Sequence, residues 1–457
     1  MKPAGIHRRQ LLKVALFASG AWAVVPTRTP RAQTLRDTRV VVVGAGIAGL
    51  AAARTLADQG VSVVVVEANA HIGGRLRTDW TLGVPFEAGA GWIHGPSRDN
   101  PIRRLADAVG AKTKVTDDDS LSVFDAAGRK LPDPELSKIN ADWERLIKRL
   151  DDALESDDPR SLRDAIAALA PGALKDPGVL WALSAYTEFS KGGPIEDLSA
   201  PLHDDDGAFT GADVVLVSGY DKILGPLAAG LDIRLSHPVS AITTANDGVV
   251  VRAGGGEIEA DYAVCSVPLG VLKAGTIAFK PALPPGHRKN IAALGFGSVT
   301  KIAFEFAAPF WDLKTQYFGI VTAAKGRWNY WMNYRTFSNS NVLLGLSVGA
   351  YAPVADRMTD AEMAADALAV LRGVWGTKVT TPLRVLTTHW STDPYALGAY
   401  SYPRPGNRAA QFDDLGEPVA DRLFFCGEHT TFDHAGTTHG AYLSGLRAAA
   451  QVAEEAR

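Results

Sequence analysis

One glycine-spaced turn between two valine-rich runs constrains this chain more than any other feature. Arg39 to Val43 (RVVVV) is a continuous β-branched run, the pattern of a strand buried on both faces. It leads into Gly44-Ala45-Gly46-Ile47-Ala48-Gly49, then a helical stretch closed by Gly60, then a second apolar run, Val61 to Val66, ending at Glu67. Gly44 suits the tight turn, Gly46 lets backbone approach a pyrophosphate, and Ala48 and Gly49 let the helix pack against the strand. An anion would lie at the helix N-terminus, where free N–H groups and the helix dipole favour it. Glu67 would bond the ribose hydroxyls. The unit predicts a dinucleotide site and a Rossmann-like α/β fold.

The chain has 457 residues, enough for two or three domains, and its 46% hydrophobic and 21% charged content is that of an ordinary globular protein. Its formal charge is −3, yet the first 33 residues carry six basic side chains and no acid. The remainder is therefore acidic, a poor partner for nucleic acid and a suitable one for cationic small molecules. Two unclustered cysteines, Cys265 and Cys426, make no metal site. Arg8-Arg9 precedes an apolar stretch from Val14 to Val25 that is too short to span a bilayer, and no later segment is long enough. Residues 1–33 thus look like a twin-arginine signal, which implies the twin-arginine export machinery as a partner and a periplasmic or secreted location.

Further motifs narrow the dinucleotide. Gly73-Gly74-Arg75 and Gly89-Ala90-Gly91-Trp92 follow Glu67, and the chain closes with LFFCGE (423–428) and a GTTHGAYLSGLRAAA segment (436–450). This pattern resembles the flavin-dependent amine oxidases, nearest the polyamine oxidases and related histone demethylases. The resemblance runs over nearly the whole chain after residue 36. It implies FAD, with Gly74 and Arg75 closing over the pyrophosphate and Gly91 and Trp92 against the flavin ring. The backbone of Val239 would lie beside the adenine, and Trp390 would face the flavin. Gly427 and Glu428 would meet the ribityl chain. A helix starting near Thr438, with Thr437 before it, would aim its positive end at the flavin pyrimidine.

The middle of the chain reads as interleaved. Asp133 to Asp157 has helical spacing with Leu136, Ile139, Trp143, Leu146, Ile147 and Leu150 on one side. KIAFEF and NVLLGLSVGA read as strands, and Thr359 to Trp375 as a helix opened by a Thr359…Glu362 capping box. The family fold places a Rossmann-like FAD-binding domain at 34–101, 205–295 and 390–457. An α+β substrate domain is interleaved with it, at 102–204 and 296–389.

Lys301 sits among apolar neighbours in GSVTKIAFEF, where a lysine must be snorkelling, paired or functional. The resemblance makes it the lysine that holds a water against the reactive flavin nitrogen. Tyr400 would be one wall of an aromatic cage around the amine. Thr437 stands where monoamine oxidases have the second tyrosine, and Ala399 where they have the flavin-linking cysteine, so the cage is half open and FAD noncovalent. His94, in WIHG, would lie in the substrate tunnel, and Glu188, in YTEFSKG, would bind a distal amine. The implied reaction is hydride transfer from an amine α-carbon to flavin. The imine then hydrolyses to an aldehyde, and dioxygen or a periplasmic electron acceptor takes the electrons. The substrate reading is a spermidine- or spermine-like polyamine. The alternatives are an L-amino acid or other monoamine oxidase or dehydrogenase, and a desaturase on the same fold.

Overall fold

The computed structural model describes residues 35–204 and 207–457. The expected signal, 1–33, lies outside the described residues, as do residue 34 of the expected 34–101 segment and residues 205 and 206 of the expected 205–295 segment.

The valine runs become the centre of a five-stranded parallel sheet. Its order is Leu423–Phe425, Tyr262–Cys265, Arg39–Val43, Ser62–Val66 and Asp232–Arg234. Strand alternation divides the side chains between two cores. Val40 and Val42 face the helices Ile47–Asp58 and Thr438–Glu455, while Val41 and Val43 face a four-stranded sheet built around Val239–Ala245. The two helices meet along small residues, so closely that a Cβ on Gly445 would lie 2.2 Å from the Ala48 carbonyl oxygen. That contact brings the last segment of the chain onto the first nucleotide-binding turn.

The second layer is a six-stranded sheet. Its order is Arg384–Thr387, Thr300–Glu305, Val342–Ser347, Tyr330–Asn333, Tyr317–Ile320 and Leu121–Phe124, antiparallel except for the last pair. Period-two alternation again sets direction. Ile302 and Phe304 pack under the helix Asp360–Trp375, and Ala303 packs in the core on the other face, which Lys301 shares by register. The expected helices are present over Asp133–Ala153 and Asp360–Trp375, and Thr359 and Glu362 close the capping box in both directions. Sequence periodicity does not foresee the wide π-helical turn Leu183–Glu188 beside the substrate layer.

Candidate active site

The glycine turn is shaped for a bound anion. Gly46 caps the helix Ile47–Asp58 without any side-chain hydrogen bond, and it bridges to Gly73, whose N–H donates to the Ala45 carbonyl at 2.9 Å. Gly49 has no alternative, since a Cβ there would sit 2.0 Å from the Gly44 oxygen. Glu67 is buried at the end of its strand. It accepts from Ala45 N at 2.7 Å and from Asn69 N at 2.9 Å, which fixes the carboxylate beside the turn. Val239 opens its strand at a bulge, half-buried against the core of this unit. An uncapped helix start, facing glycine stretches and a fixed carboxylate together fit the pyrophosphate and ribose of FAD.

A second group of contacts ties the chain ends together. The Glu428 carboxylate is buried and takes Arg75 Nη1 at 2.8 Å, Ser401 Oγ at 2.6 Å and Gly436 N at 3.0 Å. Burial alone would raise its pKa, but Arg75, His429 and Ser401 hold it below the ordinary value. Arg75 also donates to the Ala399 carbonyl at 2.7 Å and lies 5.5 Å above the Phe296 ring. Next to Glu428, His429 is fully enclosed with neither ring nitrogen hydrogen-bonded, and burial pulls its pKa down to about 4. Thr437 caps the last helix: its hydroxyl accepts from Gly440 N at 2.9 Å and donates to His434 O at 2.8 Å. The helix therefore starts at Thr438 with its positive end at this cluster.

Lys301 gathers the third group. Its ammonium donates to the carbonyls of Glu87 at 2.8 Å and Gly89 at 2.5 Å, and stands 5.5 Å over the Trp92 ring. The carbonyl between those two, of Ala88, accepts from Trp390 Nε1 at 2.8 Å. The Ala90 N–H donates to the Arg75 carbonyl at 3.0 Å, and a Cβ on Gly89 would lie 1.8 Å from that same oxygen. The segment Glu87–Gly91 is thus pinned by Lys301, Trp390 and the Arg75 backbone. A cavity of about 310 Å³ opens on Lys301, Glu87, Gly91 and Trp92, with Trp80, Val84, Val215, Met332 and Leu344 among its apolar walls. Burial pulls Lys301 down to about 8, against an opposing pull from Glu87, and pushes Glu87 up to about 7.

The remaining candidates lie around this centre. Tyr400 packs against Gly192 and Gly436, and its hydroxyl donates to the Phe189 carbonyl just past the π-helical turn. Phe189 meets Trp92 edge to face at 5.9 Å, which links Tyr400 to the lysine group. His94 is exposed, with Nδ1 2.5 Å from Asp213 Oδ2. Glu188 is placed differently from the expectation of a free substrate acid. It is fully buried, paired with Lys325, and accepts from Ile195 N at 2.9 Å. The structure does not bring it to the cavity at Lys301.

Sequence reading missed Glu87, Asp118 and Asp213. Asp118 lies near Asp213, and its pKa is raised by burial and by Asp213, Asp117 and Asp119. The same carboxylate pushes up the pKa values of Tyr186, Tyr317 and Tyr330, after burial. The only signal was the run Asp117-Asp118-Asp119, which looks like a solvated turn. Among the described residues no group of three His, Cys, Asp or Glu side chains could hold a metal, and no helix is long and apolar enough to cross a membrane.

This two-layer fold, with a nucleotide turn joined to a buried lysine, defines a flavoenzyme class. Residues 47–453 match the family model for flavin containing amine oxidoreductases, and the chain belongs to that family. It is an enzyme whose FAD is held noncovalently. Polyamine oxidase 2 of Arabidopsis thaliana is 32% identical over 96% of this chain and 91% of its own length. Polyamine oxidase 5 of Oryza sativa subsp. japonica is 32% identical over 90% of this chain and 86% of its own. The fold is also that of putrescine oxidase solved with putrescine bound, at a TM-score of 0.77 and 22% identity, over 91% of this chain and 99% of that one.

Proposed function

We propose that this enzyme oxidises a polyamine of the spermidine or spermine kind and is exported folded to the periplasm or cell exterior by the twin-arginine machinery. The observation that carries the substrate reading is the acidic and aromatic surround of His94. Asp213 bonds its ring, Asp118 stands near Asp213, and Tyr317 and Tyr330 pack at 5.1 Å with Phe189 and Trp92 beyond them. Carboxylates favour an ammonium group and aromatic faces favour both cations and methylene chains. The names of the similar plant proteins support the same substrate class.

Bound flavin supplies the hydride acceptor and returns the electrons to dioxygen. The chain's own groups do the rest. Thr437 and Tyr400 leave one side of the amine's approach open where a second tyrosine would close it. Lys301, fixed by two carbonyls, places a positive charge where negative charge develops during reoxidation, a preorganised electrostatic role. The N-terminus of the last helix would do the same toward the flavin pyrimidine, and Arg75, paired with Glu428, would close over the pyrophosphate. Ala399 offers no thiol, so no covalent link holds the flavin.

Peroxide release from a panel of spermine, spermidine, putrescine, benzylamine and L-amino acids tests the substrate. Turnover of the monoamine or amino acids with none of the polyamines would overturn it. For export, Arg8→Lys with Arg9→Lys should leave yellow, folded enzyme in the cytoplasm. Unchanged periplasmic activity would refute the twin-arginine reading.

A further inference from the structure

We propose that Glu87 is a positioning residue for Lys301: its buried carboxylate, on a side chain that lines the same cavity as Lys301, keeps the lysine charged during reoxidation. The inference rests on the electrostatic role assigned to Lys301 above. Glu87 is only 7% exposed and lies outside every motif that marks the nucleotide site. Its backbone carbonyl already holds the lysine at 2.8 Å. A single point, the Cβ that an alanine at 91 would carry, lies 3.6 Å from Lys301 Nζ, 3.5 Å from Glu87 Cβ and 3.9 Å from Glu87 Cγ. The two side chains therefore flank one small space beside Gly91.

The carboxyl is held in place by two donors. Its two oxygens accept from Tyr220 N at 2.9 Å and Thr78 Oγ1 at 2.8 Å. Thr78 Oγ1 itself accepts from Tyr220 N at 3.1 Å and Asp221 N at 3.3 Å, which aims its hydroxyl at the carboxylate. The other groups facing it are few. Asp221 disfavours its charge and Lys301 favours it, while the Tyr220 and Tyr334 hydroxyls are held neutral by burial. Among the described residues Glu87 is the one charged group that acts on Lys301, and it opposes the effect of burial. Removal of that negative charge lets Lys301 lose its proton at lower pH, because the cation's one opposing charge is gone. By reciprocity, removal of Lys301 makes Glu87 hold its proton to higher pH.

Two measurements on the flavin-loaded enzyme test this. The first follows reoxidation of photoreduced enzyme by dioxygen against pH in wild type, Glu87→Gln, Glu87→Asp and Lys301→Met. Glu87→Gln removes the charge but keeps the side chain's shape and one acceptor oxygen, so its alkaline limb should move down by roughly one pH unit or more, with Glu87→Asp largely restoring it. The second is infrared pH-difference spectroscopy, which needs no turnover. A protonated-carboxyl band should titrate near neutrality in wild type, vanish in Glu87→Gln and shift to higher pH in Lys301→Met. A Glu87→Gln profile scaled equally at every pH, or a carboxyl band indifferent to Lys301→Met, overturns the proposal. If Glu87→Gln does not fold, the band's response to Lys301→Met decides alone. Wild-type reoxidation in Lys301→Met refutes instead the role of the lysine on which the proposal stands.

Discussion

Lys301 is an ammonium on an apolar strand, and such a charge is costly unless the site uses it. Two backbone carbonyls and the Trp92 face hold it, and among the described residues no carboxylate contacts it directly. Lys301→Met keeps the stem and removes the charge, so fold and flavin content should survive. Turnover should fall roughly 10²-fold or more, as when a preorganised electrostatic group is removed, with the larger loss in reoxidation. Stopped-flow measurement of the two half-reactions checks this, and an unfolded or flavin-free variant would show the lysine to be structural. The sequence exposes Lys301, Glu67 and Glu428 because each is the polar end or interruption of an apolar run. It hides Glu87, and it offers Glu188 without the lysine that pairs it, because both depend on partners far along the chain. Lys325 closes on Glu188 from 137 positions away.

At the scale of elements, Gly49 and the capping box of the helix Asp360–Trp375 separate two kinds of contribution. Gly49→Ala places a methyl 2.0 Å from the Gly44 oxygen and 2.7 Å from Ser266 Oγ, so the helix must leave the strand. The purified variant should contain less than about half the flavin of wild type, read from the ratio of flavin to protein absorbance, because the anion site moves with the helix. Thr359→Ala removes a cap at the exposed end of a helix remote from the nucleotide turn. It should cost about 1 kcal/mol, a Tm shift of roughly 2 °C, and leave kcat and KM unchanged. Both elements were legible in sequence, since capping and glycine spacing are local rules. The π-helical turn Leu183–Glu188 was not, because it follows from how Tyr400, Lys325 and Ile195 hold residues 188 and 189.

For the whole molecule, chain order and spatial order diverge. The first and last segments meet at Arg75 and Glu428, 353 residues apart, and the lysine strand reaches Glu87 and Gly89 from the other layer. Periodicity reveals strands and helices but not this closure, which comes from the parallel sheet and the small-residue contact at Gly445. Because every link to the flavin is noncovalent, heat or acid should release it into the supernatant. Flavin retained by the precipitated chain would show a covalent bond that Ala399 cannot form.

The central claim is that a bound flavin takes electrons from an amine at the Lys301 cavity. Anaerobic mixing of the yellow enzyme with spermine, spermidine, putrescine and a monoamine, with the flavin absorbance followed in time, tests it directly. A polyamine should bleach the flavin at a rate that saturates with its concentration, and admission of dioxygen should restore the colour with one peroxide per cycle. Flavin that no amine bleaches would contradict the assignment.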